Sequence, residues 1–327
     1  QDQCSGIFNY NSETVNPEKP GFVNYNDEDQ IYTLKAGGSY TGPDRVNYNF
    51  LYNQIEGDFI ITANFEFEGE STDLNHQVGL MIRESEDKNA AHASATLRGN
   101  GSTCFQWLES MGMAMDDPGN QISSPKFNYG ILQLERKGEE IIMRAAHWGE
   151  PLQNIGFKKL PNLTGKVLVG LFAKSDEEET VETAKAWNVR IDLPVSDEYN
   201  PGEEGWLGCR LETIHVESGM RKVIFEKENR FEAPNWMPDG EKLLFNMEGS
   251  LYTIPLNGGI PIKLNTGFAD QINNDHGISF NGKLLAISHS PRGEGSAVYV
   301  LPLEGGTPKR VTEKTPSYWH GWAPNNE

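Results

Sequence analysis

The chain has 327 residues, of which 37% are hydrophobic, 23% charged and 10% aromatic, a globular composition long enough for two domains. Acidic residues outnumber basic ones 47 to 28, and a net charge of −19 excludes nucleic acid and anionic membrane surfaces as partners. No apolar run approaches the ~20 residues of a membrane helix, so membrane insertion is excluded as well.

The chain opens Gln-Asp-Gln-Cys, without Met. An exported protein that has lost its secretion signal begins this way, which points to a periplasmic or extracellular location, although a trimmed chain would begin so too. The three cysteines, Cys4, Cys104 and Cys209, have no metal-type spacing. Thirty-four glycines and 18 prolines predict frequent turns and few long helices.

Strands are predicted at 58–67, 77–83, 91–98, 104–108, 130–136, 140–146, 166–173 and 184–192. In three of them the alternation is sharp. It places Leu80, Ile82, Leu97, Phe105 and Trp107 on a core face. Arg83, His92, Arg98 and Gln106 fall on the opposite face, expected to be open, where sugar hydroxyls or a carboxylate could bind. An exposed sheet face also needs polar residues for solubility alone. Turn signals such as Gly99-Asn100-Gly101 separate the strands, and the pattern predicts an antiparallel β-sandwich over residues 1–193. Trp148, in His-Trp-Gly, is either a sugar-stacking or a loop-anchoring aromatic. The acidic run 176–180 lacks the spacing and glycine of a calcium loop and reads as a solvated turn.

Residues 194–206, rich in proline, glycine and acids, read as a linker. Beyond them a repeat begins. Trp-Met-Pro-Asp-Gly-Glu-Lys-Leu-Leu-Phe at 236–245 aligns with 278–287 and with the opening of a third copy at Trp322. Leu-Tyr-Thr-Ile-Pro-Leu-Asn-Gly-Gly at 251–259 aligns with 298–306. Short strands at this period are the signature of β-propeller blades, with the tryptophans packed between blades. Residues 207–327 supply about two blades and parts of two others, whereas a closed ring needs about four. The propeller is therefore expected to be partial, either one piece of a longer protein or half of an assembled ring.

The second region resembles TolB-like propellers through Trp-x-Pro-Asp-Gly at 236–240 and Leu-Tyr-x-Ile-Pro-Leu-x-Gly-Gly at 251–259. The runs Asn-Asn-Asp-His-Gly at 273–277 and Ser-Tyr-Trp-His-Gly-Trp at 317–322 are similar to a secreted bacterial branch of that family. The first region resembles concanavalin-like (laminin-G-like) jelly rolls through Gly57-Asp58-Phe59, Gly-Leu-Met-Ile-Arg at 79–83, Ala91-His92 and Gly99-Asn100-Gly101. Such domains bind sugars, act as spacers or cleave modified disaccharides.

His276 and His320 occupy equivalent repeat positions, where the preceding copy has Pro234, so the fold itself does not demand histidine. At the start of the innermost strand they would face the channel, with Asp275 beside them and His289 at the end of the next strand. Two imidazoles there could serve as acid/base groups or ligate a divalent metal ion, the cofactor that lyase relatives of the TolB-like resemblance imply. Backbone hydrogen bonding between blades is the plainer role.

Two functions follow. The first is an exported protein that binds a carbohydrate or protein partner without catalysis. The second is a polysaccharide lyase or glycoside hydrolase working in a histidine-lined channel. The absence of a paired-carboxylate signature favours binding.

Overall fold

The computed structural model describes residues 5–13, 21–35, 48–69, 74–87, 90–109, 118–175, 182–196 and 198–325. The protein is all-β, and every strand pair is antiparallel. It divides into two compact units: 1–196 with the turn 215–220, and 197–214 with 221–327.

The first unit contains β1 (Tyr10–Glu13), β2 (Phe22–Asn26), β3 (Ile31–Lys35), β4 (Tyr48–Ile55), β5 (Phe59–Phe67), β6 (Gln77–Arg83) and β7 (His92–Arg98). It continues with β8 (Thr103–Leu108), β9 (Gln121–Ser123), β10 (Ile131–Lys137), β11 (Glu140–Ala146), β12 (Gln153–Lys159), β13 (Val167–Lys174) and β14 (Thr183–Asp192). These form two seven-stranded sheets, ordered β1-β4-β13-β6-β7-β8-β9 and β12-β11-β10-β5-β14-β3-β2. One continuous core lies between them. Leu80, Ile82, Leu97, Phe105 and Trp107 are all buried in it, as the alternation predicts.

The outer face of the first sheet is not open. Arg83 and His92 are each 2% exposed and Gln106 8%, while Arg98 is half-buried. A second apolar cluster of Tyr48, Phe50, Tyr52, Met81, Leu168 and Phe172 shares this face. Strands β4 and β13 therefore carry apolar residues on both sides, as strands covered on both faces do. The turn after β6 folds back over it. Arg83 donates from Nε to the Ser85 carbonyl at 3.2 Å and from Nη2 to the Asp87 carbonyl at 2.6 Å. The Tyr52 hydroxyl donates to the Glu86 carboxylate. Polar residues on this face are thus used internally rather than presented to solvent.

Two glycines let the first sheet pack so tightly. A Cβ on Gly79 would collide with the Ala95 carbonyl, and one on Gly170 with the Leu51 carbonyl. Arg136, 1% exposed, donates to the carbonyls of Gly57, Leu163 and Gly165, fastening two loops at one end of the sandwich.

The second unit begins with a one-turn helix, α1 (Pro201–Glu204), capped by the Asn200 side chain accepting from the Gly202 N–H. A hairpin, β15 (Cys209–Ile214) and β16 (Arg221–Lys227), comes next. Two four-stranded meanders follow it. The first is β17 (Phe231–Trp236), β18 (Lys242–Met247), β19 (Ser250–Pro255) and β20 (Ile262–Lys263). The second is β21 (Ile272–Ile278), β22 (Leu284–His289), β23 (Ala297–Pro302) and β24 (Lys309–Arg310). The repeat read in the sequence is therefore a repeat of four-stranded sheets. Gly240 turns from β17 to β18 at φ +72°, with Asp239 Oδ1 accepting from the Glu241 N–H.

Separate small cores lie between the hairpin and the first meander and between the two meanders. The indole of Trp322 donates to the Gly277 carbonyl at 3.0 Å, and the Trp319 ring lies against Gly277. Trp236 departs from the expected packing between blades and is 56% exposed. The reason lies in its predecessor. Trp322 packs on the innermost strand of the sheet before it, whereas the sheet before Trp236 offers only the hairpin β15–β16 among the described residues. Of the cysteines, Cys104 is buried and Cys209 half-buried, and neither is in a disulfide. Cys4 and the acidic run 176–180 lie outside the described residues.

Candidate functional site

Turns and strand residues at one end of the sandwich border an open cavity of about 760 Å³. Its walls come from Phe65 and Phe67 of β5, Trp187 of β14, the β7–β8 turn from Leu97 to Gly101, Asn128, and the β11–β12 turn carrying His147 and Trp148. Glu66 and Arg98 also line it. Trp148 is 51% exposed, a large aromatic that the fold leaves half in solvent. Part of its ring lies against Gly219, in the 215–220 turn that groups with this unit.

Local chemistry explains how these groups are held. A bulge in β14 between Trp187 and Arg190 places Asn188 at φ +53°, and Asn128 sits at φ +57°. Asparagine tolerates this left-handed region better than most residues. The Asn128 N–H donates to the Gly101 carbonyl at 2.7 Å, tying two walls together. His147 faces the Phe127 carbonyl from Nε2 at 2.9 Å and the Glu150 carboxylate from Nδ1 at 3.1 Å, and its ring packs on Tyr129. The Phe127 carbonyl and then Glu150 raise the pKa of His147.

An aromatic surface beside amide, carboxylate and guanidinium groups is the composition that holds a sugar ring by stacking and its hydroxyls by hydrogen bonds. Of the residues singled out from sequence, Arg98 and Trp148 come together here. Glu66, Asn128, His147 and Trp187 carry no such signal in the sequence, because no local motif marks strands and turns that meet only in three dimensions.

Arg83, His92 and Gln106 belong instead to the covered sheet face. His92 donates from Nδ1 to the Ala90 carbonyl at 3.1 Å, since a carbonyl can only accept. Burial, then the charge of Arg83, pushes its pKa down to about 4, so the imidazole is neutral near pH 7. Arg98 donates from Nη2 to Gln121 Oε1 at 3.1 Å.

In the second unit the two repeat-equivalent histidines have unlike surroundings. His276 is 3% exposed at a bulge in β21, and neither ring nitrogen makes a well-formed hydrogen bond. Burial lowers its pKa, offset by the nearby backbone of Asn273 and Ala233 and by the Asp275 and Glu232 charges. His320 is exposed. Asp275 is held by Asn273, whose side-chain amide donates to it at 3.1 Å. His289 packs between Phe268 and Tyr299 and accepts from the Gln271 N–H at 3.3 Å. Among the described residues no group of three or more His, Cys, Asp or Glu gathers as a metal site.

No family model matches the chain. Over 127 residues it is 46% identical to an uncharacterized protein of Agrobacterium fabrum, an alignment covering 38% of this chain and 43% of that one. The chain thus spans less than half the length of this relative. Similar solved structures include a TolB-designated protein from Agrobacterium tumefaciens, 47% identical over 36% of this chain and 43% of that one, with a TM-score of 0.34. A legume lectin-like domain from Entamoeba histolytica is 8% identical over 54% and 88% of the two chains, with a TM-score of 0.39. No helix among the described residues is long and apolar enough to cross a membrane.

Proposed function

We propose that this chain is the carbohydrate-recognising part of an exported, periplasmic or extracellular, protein, and that it binds a glycan in the end cavity of its sandwich. The half-exposed Trp148 at a cavity of about 760 Å³ is the observation that carries this reading. A cavity of that volume falls within the range that accepts small ligands, and the indole face offers a surface on which a sugar ring can stack. The repeat sheets, with exposed Trp236, Phe268 and Phe280, would supply a second surface, for a protein partner or another part of the glycan. The competing reading, glycan cleavage around Asp275, His276, His289 and His320, rests on the buried imidazole of His276 without a well-formed hydrogen bond.

The test is a glycan array probed with the intact chain and with Trp148→Ala. Binding that is selective for a glycan class and lost in the variant is the expected result. Selective binding that survives Trp148→Ala would move the site elsewhere. Release of unsaturated or reducing ends from any arrayed glycan, abolished by His276→Ala, would instead establish cleavage.

A further inference from the structure

We propose that His147 is a proton-operated latch on the end cavity: its imidazolium ties the Trp148 turn to the 126–130 segment, and loss of its proton releases one tie and weakens ligand binding. This regulation rests on the reading of the cavity as a glycan site, while the latch itself rests on geometry.

The argument begins with hydrogen counting. Both ring nitrogens of His147 face groups that accept: the Phe127 carbonyl at 2.9 Å and the Glu150 carboxylate at 3.1 Å. A neutral imidazole has a single N–H and can satisfy one of them, leaving a lone pair against the oxygen of the other. Only the cation donates to both. One of these ties closes the turn on itself, since Glu150 follows Trp148 by two residues. Its other tie crosses to the segment that carries Asn128, another wall of the cavity. Ring contact with Tyr129, at 4.6 Å between centroids, sets the plane of the imidazole.

The surrounding charges agree. Glu150 faces the ring from its own turn, and Lys126 reaches the same carboxylate at 3.3 Å from the opposite segment. Lys126 and partial burial oppose the proton, but the Phe127 carbonyl and Glu150 outweigh them, so the pKa of His147 is raised. A raised histidine pKa means that the ties are complete at low pH and are lost as pH rises through the folded-state value. An acidic medium would therefore hold the cavity wall in place, and an alkaline one would loosen it.

Three measurements on the intact chain test this. An NMR titration of the His147 ring should give a midpoint above the ordinary ~6.5. Protection of the backbone amides at 147–150, measured relative to their intrinsic base-catalysed exchange at each pH, should fall above that midpoint in the wild type but not in His147→Gln. An ordinary or lowered midpoint, or exchange that ignores it, would overturn the latch. Binding of cellotetraose and tetragalacturonate is then compared at pH 5.5 and pH 8.5. The proposal expects affinity for the bound probe to fall about threefold to tenfold at the higher pH, a dependence that His147→Gln flattens and Trp148→Phe retains. Equal wild-type affinity at both pH values would overturn the coupling. If neither probe nor any glycan of the array binds at either pH while the ring and amides titrate as described, the glycan reading fails and the latch stands.

Discussion

The sandwich and the repeat sheets solve the same problem, burying antiparallel strands, in opposite ways. In the sandwich one core runs between two wide sheets, and even the outer face of one sheet is covered, down to Arg83 and His92. In the second unit small cores lie between narrow successive sheets, and Trp236, Ile260, Ile262, Phe268 and Phe280 remain exposed. Their glycines differ accordingly. Gly79 and Gly170 are required because neighbouring backbone leaves no room for a side chain, whereas Gly240 and Gly259 have open space around them and serve turns at positive φ. A wide sheet commits residues far apart in sequence to one another. A repeated sheet depends mainly on its nearest neighbour. The candidate site lies in the first kind of structure, where turns can be pinned by groups from distant strands.

Substitutions can break this contrast or sharpen it. The largest effect is expected from Phe105→Ala, which opens a hole in the continuous core and should cost about 4 kcal/mol in chemical denaturation. A loss under about 1 kcal/mol would show that the sandwich core is looser than described. Gly79→Ala should come next, at about 3 kcal/mol, because the new methyl group meets the Ala95 carbonyl. Acid supplies a third test. The neutral His92 has a pKa near 4 against about 6.5 when unfolded, so the unfolded chain takes up the proton first. The stability it contributes is complete above pH 6.5 and is lost as pH falls toward 4, by about 3 kcal/mol. His92→Gln should remove that part of the pH dependence, and an unchanged acid profile would contradict the burial of the ring. Gly240→Ala, with open space around its Cβ but φ at +72°, should cost only about 1 kcal/mol.

Much of the first unit was legible in the sequence because period-two alternation reports directly on a sheet with a core face. Strands β6 and β11 fall at their predicted residues, 77–83 and 140–146. Alternation is blind to what covers the other face. Arg83 and His92 look the same in sequence whether they meet water or the carbonyls of Ser85, Asp87 and Ala90. The site was legible only as a stray aromatic, Trp148, and as Arg98. Its remaining walls come from strands β5 and β14 and the turn at residue 128, joined by tertiary folding that no spacing records. Repeat alignment read the four-stranded sheets correctly but assigned one environment to His276 and His320. Equivalent positions in a repeat share a backbone, and burial depends on what each copy has beside it.

The most direct test of the central claim is a titration of the isotopically labelled chain with the glycan selected on the array, followed residue by residue by NMR. The account predicts that the first and largest shifts fall on the amides of Gly99, Gly101 and Asn128 and on the indole N–H signals of Trp148 and Trp187, and that Trp148→Ala abolishes them. Shifts confined to residues 273–320, or left intact by Trp148→Ala, would contradict it.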